Sequence, residues 1–94
     1  MCRAEIIANR SVEEEITLAL ENAISSFLFT IIQDVQGKGG ADRKLGDVTW
    51  PELNFIMIAY IDDSDVAIVR SVIAEVKKHF PNEGIKLFIM KSTE

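Results

Sequence analysis

Two apolar runs, Phe27-Leu28-Phe29-Thr30-Ile31-Ile32 and Phe55-Ile56-Met57-Ile58-Ala59-Tyr60-Ile61, restrict the folding of this chain more than any other feature. Neither shows the clean alternation of a strand with one wet face, so both read as central strands that are apolar on two faces. A sheet built on them must be covered twice. The 94 residues make one domain, 1–94, because a second unit would be too small to bury its own core. At 48% hydrophobic residues the chain is rich for that size, and a small domain leaves much of its surface exposed. The excess predicts burial between subunits.

The remaining pattern supplies cover for one face only. A first strand over about 3–9 is followed by Ser11-Val12-Glu13-Glu14, where the serine can accept from a free amide and Glu14 can reach back, a capping box that starts a helix. Val12, Ile16, Ala19, Leu20 and Ala23 form its apolar stripe, and Glu13, Glu14 and Glu21 face water. A second helix begins near Asp63 to Asp65 and carries the stripe Val66, Val69, Val72, Ile73, Val76 and Phe80, with Lys77, Lys78 and His79 at its negative end. The order is strand, helix, strand, strand, helix, strand. Right-handed crossovers place both helices on the same side of the sheet. The other side, carrying either the Ile56-Ile58-Tyr60 set or the Phe55-Met57-Ala59 set, needs a partner subunit.

Composition narrows the function classes. A net charge of -5 argues against general nucleic-acid binding, which draws on a basic surface. Cys2 is the only cysteine, so neither an intrachain disulfide nor a cysteine zinc cluster can form within one chain, and a reducing, cytoplasmic setting is expected. The first residues are too short an apolar stretch for a secretory signal, and no segment approaches the roughly 20 apolar residues that cross a bilayer. Direct membrane insertion is therefore not expected.

Between the two apolar runs lies a loop over about 36–54, far longer than the two to five residues, roughly, of a hairpin connection. A compact domain keeps such a loop mainly to bind something. Its start, Gln36-Gly37-Lys38-Gly39-Gly40, can converge amides on an anion with Lys38 as a point charge, or it is a glycine-softened segment with scattered basic residues. Lys38, Arg43 and Lys44 form the main basic cluster outside the second helix and suit an acidic protein surface equally well. Trp50-Pro51-Glu52 closes the loop, with Trp50 as an anchor at its base or a contact for a partner.

The strand Glu5-Ile6-Ile7-Ala8, the loop start Val35-Gln36-Gly37-Lys38-Gly39 and the segment Gly84-Ile85-Lys86-Leu87-Phe88-Ile89 together resemble the P-II nitrogen-regulatory superfamily over nearly the whole chain. The resemblance implies an α+β, ferredoxin-like βαββαβ sandwich, with a four-stranded antiparallel sheet, two helices on one face and the long loop between strands two and three. It also implies a homotrimer that holds ATP, ADP or AMP as a regulatory ligand in clefts between subunits. On that analogy Gly37, Lys38, Gly39, Gly84 and Lys86 contact the nucleotide. Arg43, Lys44 and Trp50 then meet a target protein, such as a membrane transporter or a metabolic enzyme. No cofactor is required. The chain stops at Glu94, where the family continues into a tail with phosphate-binding arginines, so a divergent, C-terminally shortened member is expected. Glu83 stands where the family turn has further glycines, and the loop has no tyrosine for uridylylation.

Two other classes stay open. A metal-responsive or metal-tolerance trimer of the related CutA type would need ligands from Cys2 or His79, gathered around an axis. Asp62-Asp63-Ser64-Asp65 offers hard oxygen donors, but helix capping explains the run better, since carboxylates at a helix start are favoured without a metal, and no metal site is expected there. A small intersubunit-cleft enzyme would use a residue such as Asp47 or Tyr60 against a neighbour's group. One histidine, one cysteine and no nucleophile motif leave few acid–base options, and the chain is read as non-enzymatic.

Overall fold

Strand β1, Cys2–Asn9, alternates buried and half-buried along its whole length, and this alternation divides the molecule into a covered and an open sheet face. The computed structural model describes residues 1–37 and 53–93, so most of the long loop lies outside the described residues. After β1 come a short 3-10 turn (Arg10–Val12), α1 (Glu13–Ala23), β2 (Thr30–Val35), β3 (Asn54–Ile61), a second 3-10 turn (Asp63–Asp65), α2 (Val66–His79) and β4 (Ile85–Lys91). The four-stranded sheet has the order β2-β3-β1-β4, and every neighbouring pair is antiparallel. Each helix therefore joins two parallel strands that have a third strand between them, which is the expected βαββαβ sandwich.

The covered face carries Ala4, Ile6 and Ala8 of β1 with Phe55, Met57, Ala59 and Ile61 of β3, all at or below 5% exposure. Onto them α1 packs Ile16 and Leu20, while α2 packs Val69, Ile73 and Val76. Side chains of this size contribute about 1.5–3 kcal/mol each when fully buried, so this layer supplies most of the drive to fold. The stripe expected on α2 is present in full, with Val66, Val72 and Phe80 partly buried at its borders. On α1 the stripe runs through Val12, Ile16 and Leu20 to Ile24, and Ala23 is exposed.

Three local expectations are corrected. The second strand is not a central strand over 27–32 but an edge strand, Thr30–Val35, mostly exposed. Phe27 and Phe29, two residues apart, turn to the same side and stack with centroids 5.4 Å apart at the core margin, and Leu28 between them is 78% exposed. Ser11 does not cap the first helix. Asn9 accepts from the Ser11 amide at 2.9 Å and starts the 3-10 turn, whereas the residue before α1, Val12, makes no side-chain cap. The third correction concerns the acidic run before α2, where neither Asp62 nor Asp65 makes a side-chain cap.

Asp63 instead ties three elements together. Its carboxylate accepts from Lys91 Nζ at 2.6 Å, from the Met1 amino group at 3.0 Å and from Cys2 Sγ at 3.3 Å, joining the start of β1, the end of β4 and the turn before α2. These partners, led by Lys91, hold its carboxyl well below the usual carboxylate range. Burial, and then Asp63 itself, push the Cys2 thiol up, so it is a packed thiol rather than a nucleophile. A depressed folded-state pKa gives stability that is present above the unfolded value, about 3.9, and is lost as pH falls below it. Melting temperature against pH should thus fall less steeply below about pH 4 for Asp63→Asn than for the wild type, and lie a few degrees lower near neutrality. Parallel curves at all pH values would contradict this tether.

Candidate functional site

The sheet brings the ends of β1 and β2 and the beginnings of β3 and β4 to one end of the molecule. Asn9 of β1 pairs with Asn54 of β3, Val35 of β2 pairs with the same Asn54, and Ala8 pairs with Ile85 at the start of β4. Both feet of the long loop and the turn before the last strand therefore share one rim. Between Ile32 and Val35 the pairing slips, and Asp34 takes a left-handed conformation, φ 56°, which bends β2 as it leaves the sheet. Arg10 fastens this corner: its amide donates to Leu53 O at 3.0 Å and its guanidinium lies 3.8 Å from Asp34. Gln33 Nε2 donates to Glu13 at 2.9 Å and joins β2 to the first turn of α1.

Gly37 follows β2 at this rim. A Cβ there would stand 3.2 Å from Asn54 Nδ2, so the glycine allows the two loop feet to approach. Gly84 precedes β4, and Lys86 is exposed on it, cross-strand from Ile7. Gly37 and the Gly84-Lys86 pair are thus at the same end of the sheet but on opposite edge strands. Three strand spacings separate them, roughly 14 Å. One protomer does not bring them together. Lys38, Gly39, Arg43, Lys44 and Trp50 lie outside the described residues, as does Asp47.

The open face decides between the two sets of β3 residues. Phe55, Met57 and Ala59 face the helices, and Ile56, Ile58 and Tyr60 face away from them. Cross-strand register arranges the open face in rows: Tyr60, Arg3, Met90; then Thr30, Ile58, Glu5, Phe88; then Ile32, Ile56, Ile7, Lys86. Tyr60, Phe88, Ile32 and Met90 are 53, 49, 44 and 42% exposed, so a largely apolar sheet surface is uncovered in the protomer. Arg3 reaches both neighbours, Glu5 Oε1 at 2.9 Å and Tyr60 Oη at 3.4 Å, and this pairing raises its pKa further. Sequence reasoning missed this trio. Its signal was available, since a strand over 3–9 puts Arg3 and Glu5 on one face.

Among the described residues no group of three or more His, Cys, Asp and Glu side chains converges as a metal site. Cys2 sits at the end of the sheet where α2 begins, and His79 closes α2 with Nδ1 3.0 Å from Glu75 O. The 14-residue helix puts about 20 Å between them. No described helix is long and apolar enough to cross a membrane.

No family model matches the chain, and no curated protein matches it. Solved structures do. The chain is similar to CPII from Thiomonas intermedia K12, solved with ADP, AMP and acetate, at a TM-score of 0.71 and 19% identity over 95% of this chain and 82% of that one. It is also similar to a protein from Thermus thermophilus described as PII-like and signaling, at a TM-score of 0.67 and 16% identity, covering 94% and 82% of the two chains. The fold implied by the sequence resemblance is thus that of PII-like proteins. A de novo designed protein also shares it, with a TM-score of 0.62 and 11% identity over 98% of both chains, so topology alone carries no function.

Proposed function

We propose that this chain is a divergent P-II-like regulatory protein, acting in the cytoplasm, that forms a trimer, takes an adenine nucleotide in clefts between its subunits and controls a target protein through the 36–54 loop. The observation that carries this reading is the placement of Gly37 and the Gly84-Lys86 pair at one rim but on opposite edges. In the proposed trimer the β2 edge of one protomer meets the β4 edge of the next, so that the loop base faces the turn before the last strand across the junction. Nucleotides bound to CPII make ADP and AMP the first ligands to consider.

Each part of the cleft has a physical task. Gly37 lets backbone amides come close to an anion, Lys86 supplies a positive charge, and Lys38 and Gly39 extend the same chemistry into the loop. Ligand binding regulates only if it favours one loop state over another. Moving that balance from nearly off to nearly on takes about 5.5 kcal/mol of differential affinity. A target with an acidic surface, whether a transporter or a metabolic enzyme, suits Arg43 and Lys44, with Trp50 as the apolar contact.

Calorimetric titration with ATP, ADP and AMP tests this directly. Saturable binding is expected for at least one nucleotide. Lys86→Ala should weaken it roughly tenfold to a hundredfold, the effect of losing one charge-assisted contact. Lys38→Ala should act in the same direction. An absence of binding by all three nucleotides, with the protein folded and assembled, would contradict the ligand assignment.

A further inference from the structure

Glu83 and Lys86 stand three residues apart at the entry to β4 and carry opposite charges. The turn fixes Glu83, whose amide donates to Phe80 O at 3.1 Å, and the residue is half-buried, while Lys86 is exposed. So short a segment keeps their Cα atoms within about 10 Å, roughly one Debye length at 0.1 M salt. Neither takes part in an ion pair among the described residues, so both fields act on whatever enters the cleft.

The other cations near this rim are already engaged. Arg3, the next cation on the open face, is paired with Glu5 at 2.9 Å. Arg10 at the loop base faces Asp34 at 3.8 Å, beside the carboxylates Glu13, Glu14 and Glu15 that open α1. Lys77 and Lys78 close α2 on the other side of the sheet, where they offset the negative helix end and Lys78 lies 3.6 Å from Glu75. By sequence the segment 38–52 carries Lys38, Arg43 and Lys44 against Asp42, Asp47 and Glu52, which adds no net charge. Lys86 can match the charge of one phosphate, and each further phosphate meets Glu83 without a new cation.

We propose that the cleft is selective for a nucleoside monophosphate, with Glu83 as the residue that disfavours longer phosphate chains. The inference rests on the nucleotide cleft proposed above and names its ligand class. Calorimetric titration of the wild type and Glu83→Gln with AMP, ADP and ATP, in EDTA at fixed ionic strength, tests it. The wild type should bind AMP most tightly, ADP less and ATP about tenfold or more weaker than AMP. Glu83→Gln keeps the shape of the side chain and should raise ATP affinity about tenfold but AMP affinity less than about threefold, and the difference should shrink at 1 M salt, where charges are screened. A wild type that binds ATP more tightly than AMP, or a variant that shifts all three nucleotides equally or none, would overturn the selectivity and leave the nucleotide reading intact. Binding of none of the three would overturn both.

Discussion

Ile56→Lys is expected to leave the protomer folded and to abolish its assembly. Ile56 lies on the open face in a row with Ile32 and Ile7, turned away from the helices, so an ammonium there remains in water while the protomer is alone. In the proposed trimer the same group would be enclosed three times near like charges. The cost of taking one unpaired ion out of water is several kilocalories per mole, so the trimer constant should fall by about a thousandfold or more. Light scattering would then give the protomer mass, with a circular dichroism spectrum like the wild type's. An Ile56→Lys protein that keeps the wild-type mass would show that assembly does not use this face.

The converse substitution lies one residue away. Phe55 is fully buried on the helix side of β3, in the core shared by both helices. Phe55→Ala removes most of a ring that its neighbours cannot replace, at a cost of about 3–5 kcal/mol. Small domains have only about 5–15 kcal/mol of total stability, and each kilocalorie moves the melting temperature by roughly 4–8 °C at this size. A drop of about 15–30 °C is expected in a thermal melt. A shift under about 5 °C would mean that the core is not packed around Phe55. The contrast between Phe55 and Ile56 tests the strand alternation, because one residue controls folding and the next controls association.

What the sequence disclosed follows from the range of the signals. The helical stripe from Val66 to Phe80 and the strand ending at Ile61 were legible because burial repeats with the period of the element itself. The second strand was misplaced by three residues because Phe27-Leu28-Phe29 has strand composition, yet its two rings stack on each other instead of joining the ladder. The helix cap was misassigned because Asn9 and Ser11 compete for the same turn, and only geometry shows that Asn9 is the acceptor. Asp63 looked like part of a solvated helix start. Its partners are 28 to 62 positions away in the chain, where no local pattern can reveal them.

The proposed site was half legible for a related reason. The family resemblance picked out Gly37, Gly84 and Lys86, but that they lie at one rim on opposite edges depends on the strand order, which puts β2 and β4 furthest apart. That order turns a set of suggestive residues into an argument for a junction between protomers.

Subunit mixing tests that claim most directly. Gly37→Glu and Lys86→Ala protomers, each impaired for ADP alone, would be mixed, dissociated and reassembled before ADP titration. If each cleft takes Gly37 from one protomer and Lys86 from its neighbour, about a quarter of the clefts in a random trimer regain both native residues and bind ADP as the wild type does. A mixture that binds no more ADP than the two variants separately would contradict a cleft shared between protomers.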